Sequence, residues 1–530
     1  MKRSRASIAV FMITIIIVGM FATVTAAEPP PDGYLPLRAS VEQIGGVVEW
    51  NAQDRSIHIE IFDSRIVLFP ERTQAYVNEN TFTIQHSLVL WEDISYIFPD
   101  DINMLLKAAM PSVTLRLTPE ARDLALADYD FMTSLILENS IWPYVTEERL
   151  GIDMAGLLAH NRTLIENMTP IDMPSTEMFK AVYKEGDDPQ SLAANYLFVL
   201  QWLNFTKPIM STGHMFALPA ELYALVMNII GSAEGTEGSF LTQKMLETYK
   251  HPKAVWFYGE NILAEVEGFQ QNPDNIWTEI ITRDEIALMG IKSFMNNPEL
   301  DDAVIMPFLK EIEGYSHLII DIRGNGGGNA GLYNELVLSR LISEPFSITL
   351  TEFFAGGEMA REWADVYVKD AAATGALCGM DLVEAKIVPA ADFVKQNNMT
   401  QFNQDNLEIL QNVSIIEYLM RPAKDHINFK GNIWILIDAG SASASTSVAY
   451  DAKTTGYATV VGENTSNIMG VMQPVTVLPN TGILWRVDIG FMTDKEGRSL
   501  EVYGIAPDVP NRPGMDALET VLALIAEGGF

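Results

Sequence analysis

The sequence is nearly free of cysteine and poor in positive charge. It has 530 residues and one cysteine, Cys378, which excludes an intrachain disulfide and a cysteine-ligated metal cluster. Its 35 Lys and Arg residues stand against 69 Asp and Glu residues, so the formal net charge is −34. A chain this acidic is repelled by phosphate backbones and by anionic lipids, so we expect neither a nucleic-acid-binding nor a lipid-surface protein.

Long apolar runs are also absent, except for one near the N-terminus. That run is AVFMITIIIVGMFATVTAA, and it follows the basic residues Lys2, Arg3 and Arg5. A basic start, an apolar run and small residues at Ala26 and Ala27 are typical of an export signal. We therefore predict a signal peptide over residues 1–27 and a proline-rich linker over 28–33. An uncleaved membrane anchor is the alternative, and with either one the protein is extracytoplasmic, secreted or anchored to the cell envelope.

The rest of the chain has the composition of a globular protein of two or three domains, with 48% apolar and 20% charged residues. Short strands and turns dominate residues 34–118, where AYVNENTFTI predicts a β-hairpin. Apolar residues at helical spacing predict a helical domain over 119–250. A connector over 251–284 leads to a larger C-terminal region over 285–530.

Residues 34–118 contain the motifs LPLRA, GGVVEWN and AYVNEN. With these motifs, the segment resembles the copper amine oxidase N-terminal domain, which implies a small α+β domain. The resemblance implies no copper, because His58 and His86 lack a third ligand nearby in the sequence. We expect this domain to act as a spacer or as a module that contacts the cell wall or another protein.

The C-terminal region alternates between strands and helices. The apolar strands HLIIDIR (317–323), NIWILIDA (432–439) and ATVVGE (458–463) are each followed by a loop. After the first two, a helix comes next, which predicts βαβ units and a largely parallel sheet covered on both faces. The segment 350–430 interrupts this pattern, and we predict that it forms a helical insertion.

Two loops follow buried strands, where open α/β sheets place their sites. The first is RGNGGGN (323–329), whose glycines allow backbone N–H groups to approach a ligand closely. It lacks the Lys-Ser or Lys-Thr of a phosphate-binding loop, and its spacing does not fit a dinucleotide site. The second is GSASAS (440–445), which can present a serine hydroxyl at a helix N-terminus. Taken alone, this second loop favours a run of helix-capping serines over a reactive hydroxyl.

Together, four motifs resemble the C-terminal processing and tricorn-type serine peptidases over residues 285–512. They are YSHLIIDIRGNGGG, IDAGSASAS, ATVVGENT and EVYGIAPDV, in the order that these peptidases have. The resemblance implies a crotonase-like core, hydrolysis of peptide bonds and no metal or organic cofactor. It assigns the nucleophile to Ser443, with Ser441 and Ser445 in packing or capping roles.

The sequence departs from the tail-specific members of that family at the proton acceptor. They carry a lysine at the position that Ile468 occupies here, and Thr446 replaces a glutamate that often follows their serine motif. A Ser-Lys dyad of that type is therefore excluded. Lys453, ten residues after Ser443 in the same predicted helix, is a weaker alternative as the base.

The tricorn-like members use a histidine oriented by a carboxylate. The Gly-His pair in STGHM matches their element and makes His214 the candidate base. Glu501, 501 − 443 = 58 residues after Ser443, is the candidate carboxylate, with an exposed strand acid as the alternative. The backbone N–H groups of Ala444 and of Gly326 or Gly327 are the candidate oxyanion-hole donors.

The sequence therefore predicts an α/β protein: a crotonase-like core with a parallel sheet, a helical upstream domain and a small α+β N-terminal domain. The expected function is that of an exported serine peptidase of Ser-His-Glu type acting on proteins or peptides. The alternative is a catalytically inactive relative that binds peptide or cell-wall polymer outside the cytoplasm. An acyl-CoA enzyme of crotonase type fits the fold but not the export signal.

Overall fold

We describe the protein from a computed structural model. The structure describes residues 35–42, 46–61, 64–78, 80–91, 94–109, 112–174, 183, 186–201, 215–220, 222–224, 226–227, 240–259, 272–469, 473–494 and 496–528. The predicted signal peptide, the whole predicted linker and His214 lie outside these residues. None of the described helices is both long and apolar enough to cross a bilayer.

The strands and helices are numbered in chain order. The strands are β1 Leu35–Pro36, β2 Val47–Asn51, β3 Ser56–Ile61, β4 Ser64–Leu68, β5 Gln74–Val77, β6 Asn80–Thr83, β7 Val89–Trp91, β8 Ile94–Ile97, β9 Ser112–Leu115, β10 Ile171–Pro174, β11 Ile276–Thr282, β12 Ile286–Ile291, β13 His317–Asp321, β14 Phe346–Ala355, β15 Met380–Pro389, β16 Leu410–Met420, β17 Asn432–Ile437, β18 Thr459–Gly462, β19 Val475–Val477, β20 Leu484–Arg486, β21 Gly490–Met492 and β22 Val509–Pro510.

The helices are α1 Leu37–Glu42, α2 Pro99–Ala109, α3 Pro119–Asn139, α4 Trp142–Leu150, α5 Met154–Glu166, α6 Pro189–Leu200, α7 Phe240–Tyr249, α8 Pro252–Tyr258, α9 Pro298–Glu311, α10 Ala330–Tyr333, α11 Ser339–Leu341, α12 Glu358–Lys369, α13 Ala371–Leu377, α14 Ala390–Gln396, α15 Gln404–Ile409, α16 Ala444–Thr455, α17 Leu500–Tyr503 and α18 Ala517–Ala526. A π-helical segment, Asn334–Leu338, joins α10 to α11.

The chain forms two compact units. The first contains residues up to Ala121 and residues 168–199, and the second contains residues 122–167 and everything from Leu200 onward. In the first unit, β2 to β6 form an antiparallel sheet in sequential order. The predicted hairpin is confirmed, since β5 pairs with β6 in the register Val77↔Asn80. The inward residues of this sheet pack with apolar residues of α1 and α2 into one core.

The second unit is built on a six-stranded sheet with the order β11-β12-β13-β17-β18-β22. From β12 onward all neighbours are parallel, and only the edge strand β11 is antiparallel. Leu318 and Ile320 of β13 enter the larger core, whereas Ile319 packs into a second core with residues of α18. The prediction of a parallel sheet covered on both faces is therefore confirmed.

The predicted helical insertion over 350–430 is wrong. This segment carries α12 to α15, but it also contains most of β14 and all of β15 and β16. These strands form an antiparallel sheet with the order β15-β16-β14-β21. The apolar residues of β16 alternate between buried and less buried positions, as in a half-buried strand. Their cross-strand partners lie up to 74 positions away in sequence (Phe346↔Met420), which local patterns do not reveal.

Candidate active site

The serine turn, residues 440–445, connects the end of β17 to the start of α16. Ser443 is the residue directly before α16, with φ 52° and ψ −116°. This conformation is costly for a residue with a side chain, and it persists only where the surroundings enforce it. One such restraint is the hydrogen bond from the N–H of Ser443 to the carbonyl of Ile468, at 2.6 Å. The turn leaves Ser443 partly accessible to solvent.

The neighbouring serines anchor the turn. Ser441 is buried, and its hydroxyl donates to the carbonyl of Ile322 at 2.9 Å. Ser445 is also buried, and its hydroxyl donates to the carbonyl of Asn325 at 2.8 Å. Both bonds reach the segment that follows β13, so these two hydroxyls have the packing role that the resemblance implies.

The glycine loop, residues 323–329, lies directly against the serine turn. A Cβ atom at Gly327 would lie 2.7 Å from the Cβ of Ser443, 2.7 Å from the carbonyl oxygen of Ala442 and 2.9 Å from the N atom of Ala444. Gly327 also has a φ of 101°, which disfavours any residue with a side chain. Glycine is therefore required here for close approach of the two loops.

The peptide planes of the glycine loop set the direction of its N–H groups. The carbonyl of Asn325 accepts from the N–H of Ala442 at 3.0 Å, and the described peptide bonds are trans. The N–H of Gly326 therefore points away from the serine turn. The N–H of Gly327 donates to the side chain of Asn325 at 2.9 Å. This geometry differs from the prediction that Gly326 or Gly327 contributes an oxyanion-hole donor, because both N–H groups are directed elsewhere.

Phe294 fixes the peptide plane between Gly327 and Gly328. The carbonyl of Gly327 accepts from the N–H of Phe294 at 3.0 Å, so the N–H of Gly328 points away from Phe294. Phe294 follows β12, and β13 lies between β12 and β17 in the sheet. The N–H of Gly328 is therefore directed away from the β12 side of the loop. The N–H of Ala444 is the first of α16, and such amides have no acceptor within the helix.

A second tie between the two loops comes from Asp438. Its Oδ1 accepts from the N–H of Gly324 at 2.8 Å and from the N–H of Gly440 at 2.9 Å. Sequence reasoning missed Asp438 and Asn325 as site residues, although both stand inside the quoted motifs. A polar residue between an apolar strand and a small-residue loop was the available signal.

Glu501 lies on α17 and is fully buried. This finding removes the alternative of an exposed strand acid. Its Oε1 accepts from the N–H of Met469 at 3.0 Å, next to the carbonyl of Ile468 that holds Ser443. Burial lowers the pKa of the Arg149 guanidinium, while the negative charge of Glu501 acts in the opposite direction. Glu501 thus lies near the positive charge of Arg149 and accepts a hydrogen bond from the segment beside Ser443.

Of the seven histidines, only the candidate base His214 falls outside the described residues. In the unit that holds Ser443, His251 caps the N-terminus of α8. His317 accepts from Nε1 of Trp434 at 3.2 Å, and burial lowers its pKa. It begins β13, whereas Ser443 lies beyond the end of the parallel neighbour β17, so the two are at opposite edges of the sheet. The histidines at 160 and 426 are exposed.

Lys453 is engaged at the far end of α16. Its Nζ donates to the carbonyl of Ala506 at 2.7 Å and lies 3.4 Å from Oδ1 of Asp508. Ten helical residues separate it from Ser443 by about 15 Å along the helix axis. Asp508, just before β22, accepts from the N–H of Val460 on β18 at 3.0 Å. Lys453 is therefore not placed to accept a proton from Ser443.

No grouping of three or more His, Cys, Asp and Glu side chains that could hold a metal ion occurs among the residues described.

The chain resembles several solved peptidase structures. The photosystem II D1 C-terminal processing protease shares 18% identity over 43% of this chain and 42% of its own length, with a TM-score of 0.27. Mature CPAF shares 13% identity over 74% of this chain and 93% of its own, with a TM-score of 0.40. The tricorn protease shares 15% identity over 46% of this chain and 17% of its own, with a TM-score of 0.23. This chain thus spans less than half of the first and third of these proteins. No curated protein sequence matches it.

Two family models match the sequence where the motifs predicted. Peptidase family S41 matches residues 285–511, and the copper amine oxidase N-terminal domain matches residues 32–108. The first match contains the serine turn, the glycine loop and Glu501, and both resemblances drawn from the motifs are confirmed. The chain therefore carries a peptidase family S41 domain, preceded by a copper amine oxidase N-terminal domain.

Proposed function

We propose that this protein is an exported serine peptidase that hydrolyses peptide bonds in proteins or peptides, with Ser443 as the nucleophile on a crotonase-like core. The observation that carries the proposal is the strained turn at Ser443. This turn packs so closely against the glycine loop that a side chain at Gly327 would overlap with it. Strain of this kind recurs at functional sites. The match of residues 285–511 to peptidase family S41 supports the same reaction.

In the proposed reaction, Oγ of Ser443 attacks the carbonyl carbon of the substrate and transfers its proton to His214. The C–N bond then breaks, and His214 returns the proton to the leaving amine, which leaves an acyl-enzyme ester on Ser443. A water molecule attacks this ester with His214 again accepting the proton. The bond between the acyl carbon and Oγ then breaks, His214 returns the proton to Oγ of Ser443, and the carboxylic acid product departs.

Two observations support His214 as the base, although it lies outside the described residues. The described histidines of the same unit are either engaged elsewhere or exposed, as shown above. The residue next to His214 in the chain, Met215, is buried, and the following segment bonds to β20. There the N–H of Arg486 donates to the carbonyl of Phe216 at 3.0 Å. His214 is thus one peptide bond away from a fixed part of the catalytic unit.

The proposed role of Glu501 is to orient the imidazole and stabilise its positive charge. Its complete burial supports this role, because a buried carboxylate interacts strongly with a nearby cation. For the oxyanion, the N–H of Ala444 is one proposed donor, and we place the N–H of Gly328 as the second in preference to Gly326 and Gly327. Removing one such donor typically lowers kcat on the order of 100-fold.

Ser443→Ala tests the nucleophile. We expect it to abolish both hydrolysis of an unfolded protein substrate and labelling by a fluorophosphonate probe, because the attacking oxygen is gone. Ser447→Ala is the matched control: this serine is on the same helix, one turn later, and its hydroxyl contacts Sδ of Met469. The control should be labelled at the parent rate. Cleavage by the Ser443→Ala protein would overturn the assignment.

His214→Ala tests the base. The loss in kcat should come within a few-fold of that seen for Ser443→Ala, since members of a triad act as a unit. Hydrolysis at the parent rate by a folded His214→Ala protein would mean that another group accepts the proton.

The second candidate function is a catalytically inactive relative that binds peptide or cell-wall polymer. It is favoured by Ile468, which occupies the position of the family lysine with its carbonyl 2.6 Å from the N atom of Ser443. This candidate predicts no labelling of the parent protein by the probe, together with retained binding of the polymer or peptide. The N-terminal domain is the proposed contact with the cell wall or another protein.

A further inference from the structure

The buried side chain of Asn325 joins three parts of the catalytic unit. Its Nδ2 donates to the carbonyl of Ile291, the last residue of β12, at 3.0 Å. Its Oδ1 accepts from the N–H of Gly327 at 2.9 Å. Asn325 is fully buried, so both ends of this amide are bonded to backbone atoms without competition from water.

The main chain of Asn325 contacts the serine turn itself. Its carbonyl accepts from the N–H of Ala442 at 3.0 Å and from the hydroxyl of Ser445 at 2.8 Å. These two residues lie on either side of Ser443. One residue therefore fixes the glycine loop through its side chain and the serine turn through its backbone.

This arrangement also sets the direction of the loop amides. The bond to Oδ1 turns the N–H of Gly327 inward and fixes the peptide plane between Gly326 and Gly327. The next peptide plane, between Gly327 and Gly328, is held by the bond from the N–H of Phe294 to the Gly327 carbonyl. The bond to Ile291 prevents the Asn325 amide from rotating, because its two ends have different partners. Without the side chain, the loop would be held near Ser443 only by the bonds of its main chain and by Asp438.

We propose that Asn325 is a positioning residue that sets the distance and orientation between the glycine loop and Ser443. Asn325 does not touch the substrate in this proposal. This inference rests on the proposed peptidase reaction, because Asn325 would act by keeping an oxyanion donor in the correct place. A misplacement of about 1 Å can lower a rate on the order of 100-fold.

The test compares Asn325→Ala, Asn325→Ser and Asn329→Ala in the full-length protein. Asn329 is the matched control, because its Oδ1 also accepts from the N–H two residues later, that of Gly331, at 2.9 Å. This bond caps α10 and does not reach the serine turn. Serine at position 325 can accept from the N–H two residues on, but it is too short to replace the bond to Ile291.

Two quantities are measured for each variant: kinact and KI for the fluorophosphonate probe, and the hydrogen-exchange rate of the Gly327 N–H. We expect Asn325→Ala to lower kinact about 10- to 100-fold with KI within about threefold of the parent, and to speed exchange at Gly327 about tenfold or more. Asn325→Ser should recover part of both losses, and Asn329→Ala should match the parent in both. If Asn325→Ala does not fold, the comparison of Asn325→Ser with Asn329→Ala carries the test.

The two readouts separate this inference from the proposed function. If the parent protein is not labelled but exchange at Gly327 rises in Asn325→Ala, the peptidase proposal fails and the tie through Asn325 stands. Unchanged exchange at Gly327 in a folded Asn325→Ala protein would overturn the inference, whatever the activity. Equal losses of kinact in Asn325→Ala and Asn329→Ala would overturn it as well.

Discussion

At the scale of single residues, the site depends on the absence of a side chain at Gly327. Gly327 lets the glycine loop approach Ser443 to a distance at which any Cβ would overlap with it. Ser443 in turn holds a backbone conformation that residues with side chains rarely adopt. The close packing of the two loops is what keeps both residues in place.

Gly327→Ala should therefore lower the rate of fluorophosphonate labelling by about 100-fold or more. The added methyl group would lie 2.7 Å from both the Ser443 Cβ and the Ala442 carbonyl oxygen, so one loop must move away. The measurement is kinact for the probe on folded protein, with thermal unfolding as the check on folding.

Gly324→Ala provides the comparison in the same loop. Its φ of 70° is also positive, but a Cβ there would meet no atom within 4 Å. It should show only the cost of the left-handed conformation, about 1–2 kcal/mol of stability, with a much smaller loss of labelling. Equal losses of labelling in the two variants would show that backbone strain, and not the overlap with Ser443, is the cause.

At the scale of elements, a buried carboxylate on α3 holds the hairpin of β19 and β20. Asp128 accepts from the N–H and the side-chain amide of Asn480, at 2.8 and 2.9 Å. It also accepts from the N–H and the hydroxyl of Thr481, at 2.7 and 2.6 Å. Because β20 pairs with the segment that directly follows His214, the bonds of Asp128 to this hairpin help to fix that segment as well as to stabilise the fold.

Asp128→Ala should lower the free energy of unfolding by about 2–4 kcal/mol, because four donors in a buried loop lose their acceptor. The measurement is chemical denaturation of the parent and the variant. Asp123→Ala is the control on the same helix: this side chain is 69% exposed and pairs only with its neighbour Arg122 among the contacts described. A change of more than about 1 kcal/mol in the control, or less in Asp128→Ala, would contradict the argument.

At the scale of the whole molecule, two buried carboxylates link stability to pH. Burial raises the pKa of Glu352 on β14 to about 7, although hydroxyls of Tyr367 and Ser414 donate to it. Burial raises the pKa of Asp451 on α16 to about 7 as well. In the folded protein both groups hold their protons to a higher pH than in the unfolded chain. At these two groups the native state therefore binds more protons between about pH 4.5 and 7, and their contribution to stability falls as the pH rises through that window.

Glu352→Gln should flatten this fall, since the amide keeps hydrogen-bonding capacity and cannot ionise. Each group contributes a slope of up to about 1.4 kcal/mol per pH unit, so Glu352→Gln and Asp451→Asn should each remove part of it. The measurement is the melting temperature from pH 4.5 to 8 for the parent, the two single variants and the double variant. Identical slopes in the parent and the double variant would contradict the assignment.

A structural feature could be predicted from the sequence when the residues that form it are close together in the chain. The apolar runs of β13 and β17 and the loops after them were predictable, because one strand and its loop are contiguous. The antiparallel sheet of β14, β15, β16 and β21 was not, because its pairing joins segments far apart in the chain. The same reason explains why Ser443 was singled out from its motif, while the ties through Asn325 and Asp438 were not.

By itself, the amino-acid sequence carried the motifs that resemble two families, and its local patterns of apolar, small and polar residues determined the parallel sheet and the residue types available for chemistry. Only the tertiary structure decided that the N–H of Gly327 is bonded to Asn325, that Glu501 is buried beside the serine segment and that Lys453 is engaged elsewhere. These are properties of direction and distance between segments remote in sequence, and they arise only when packing and hydrogen bonds fix the loops against one another.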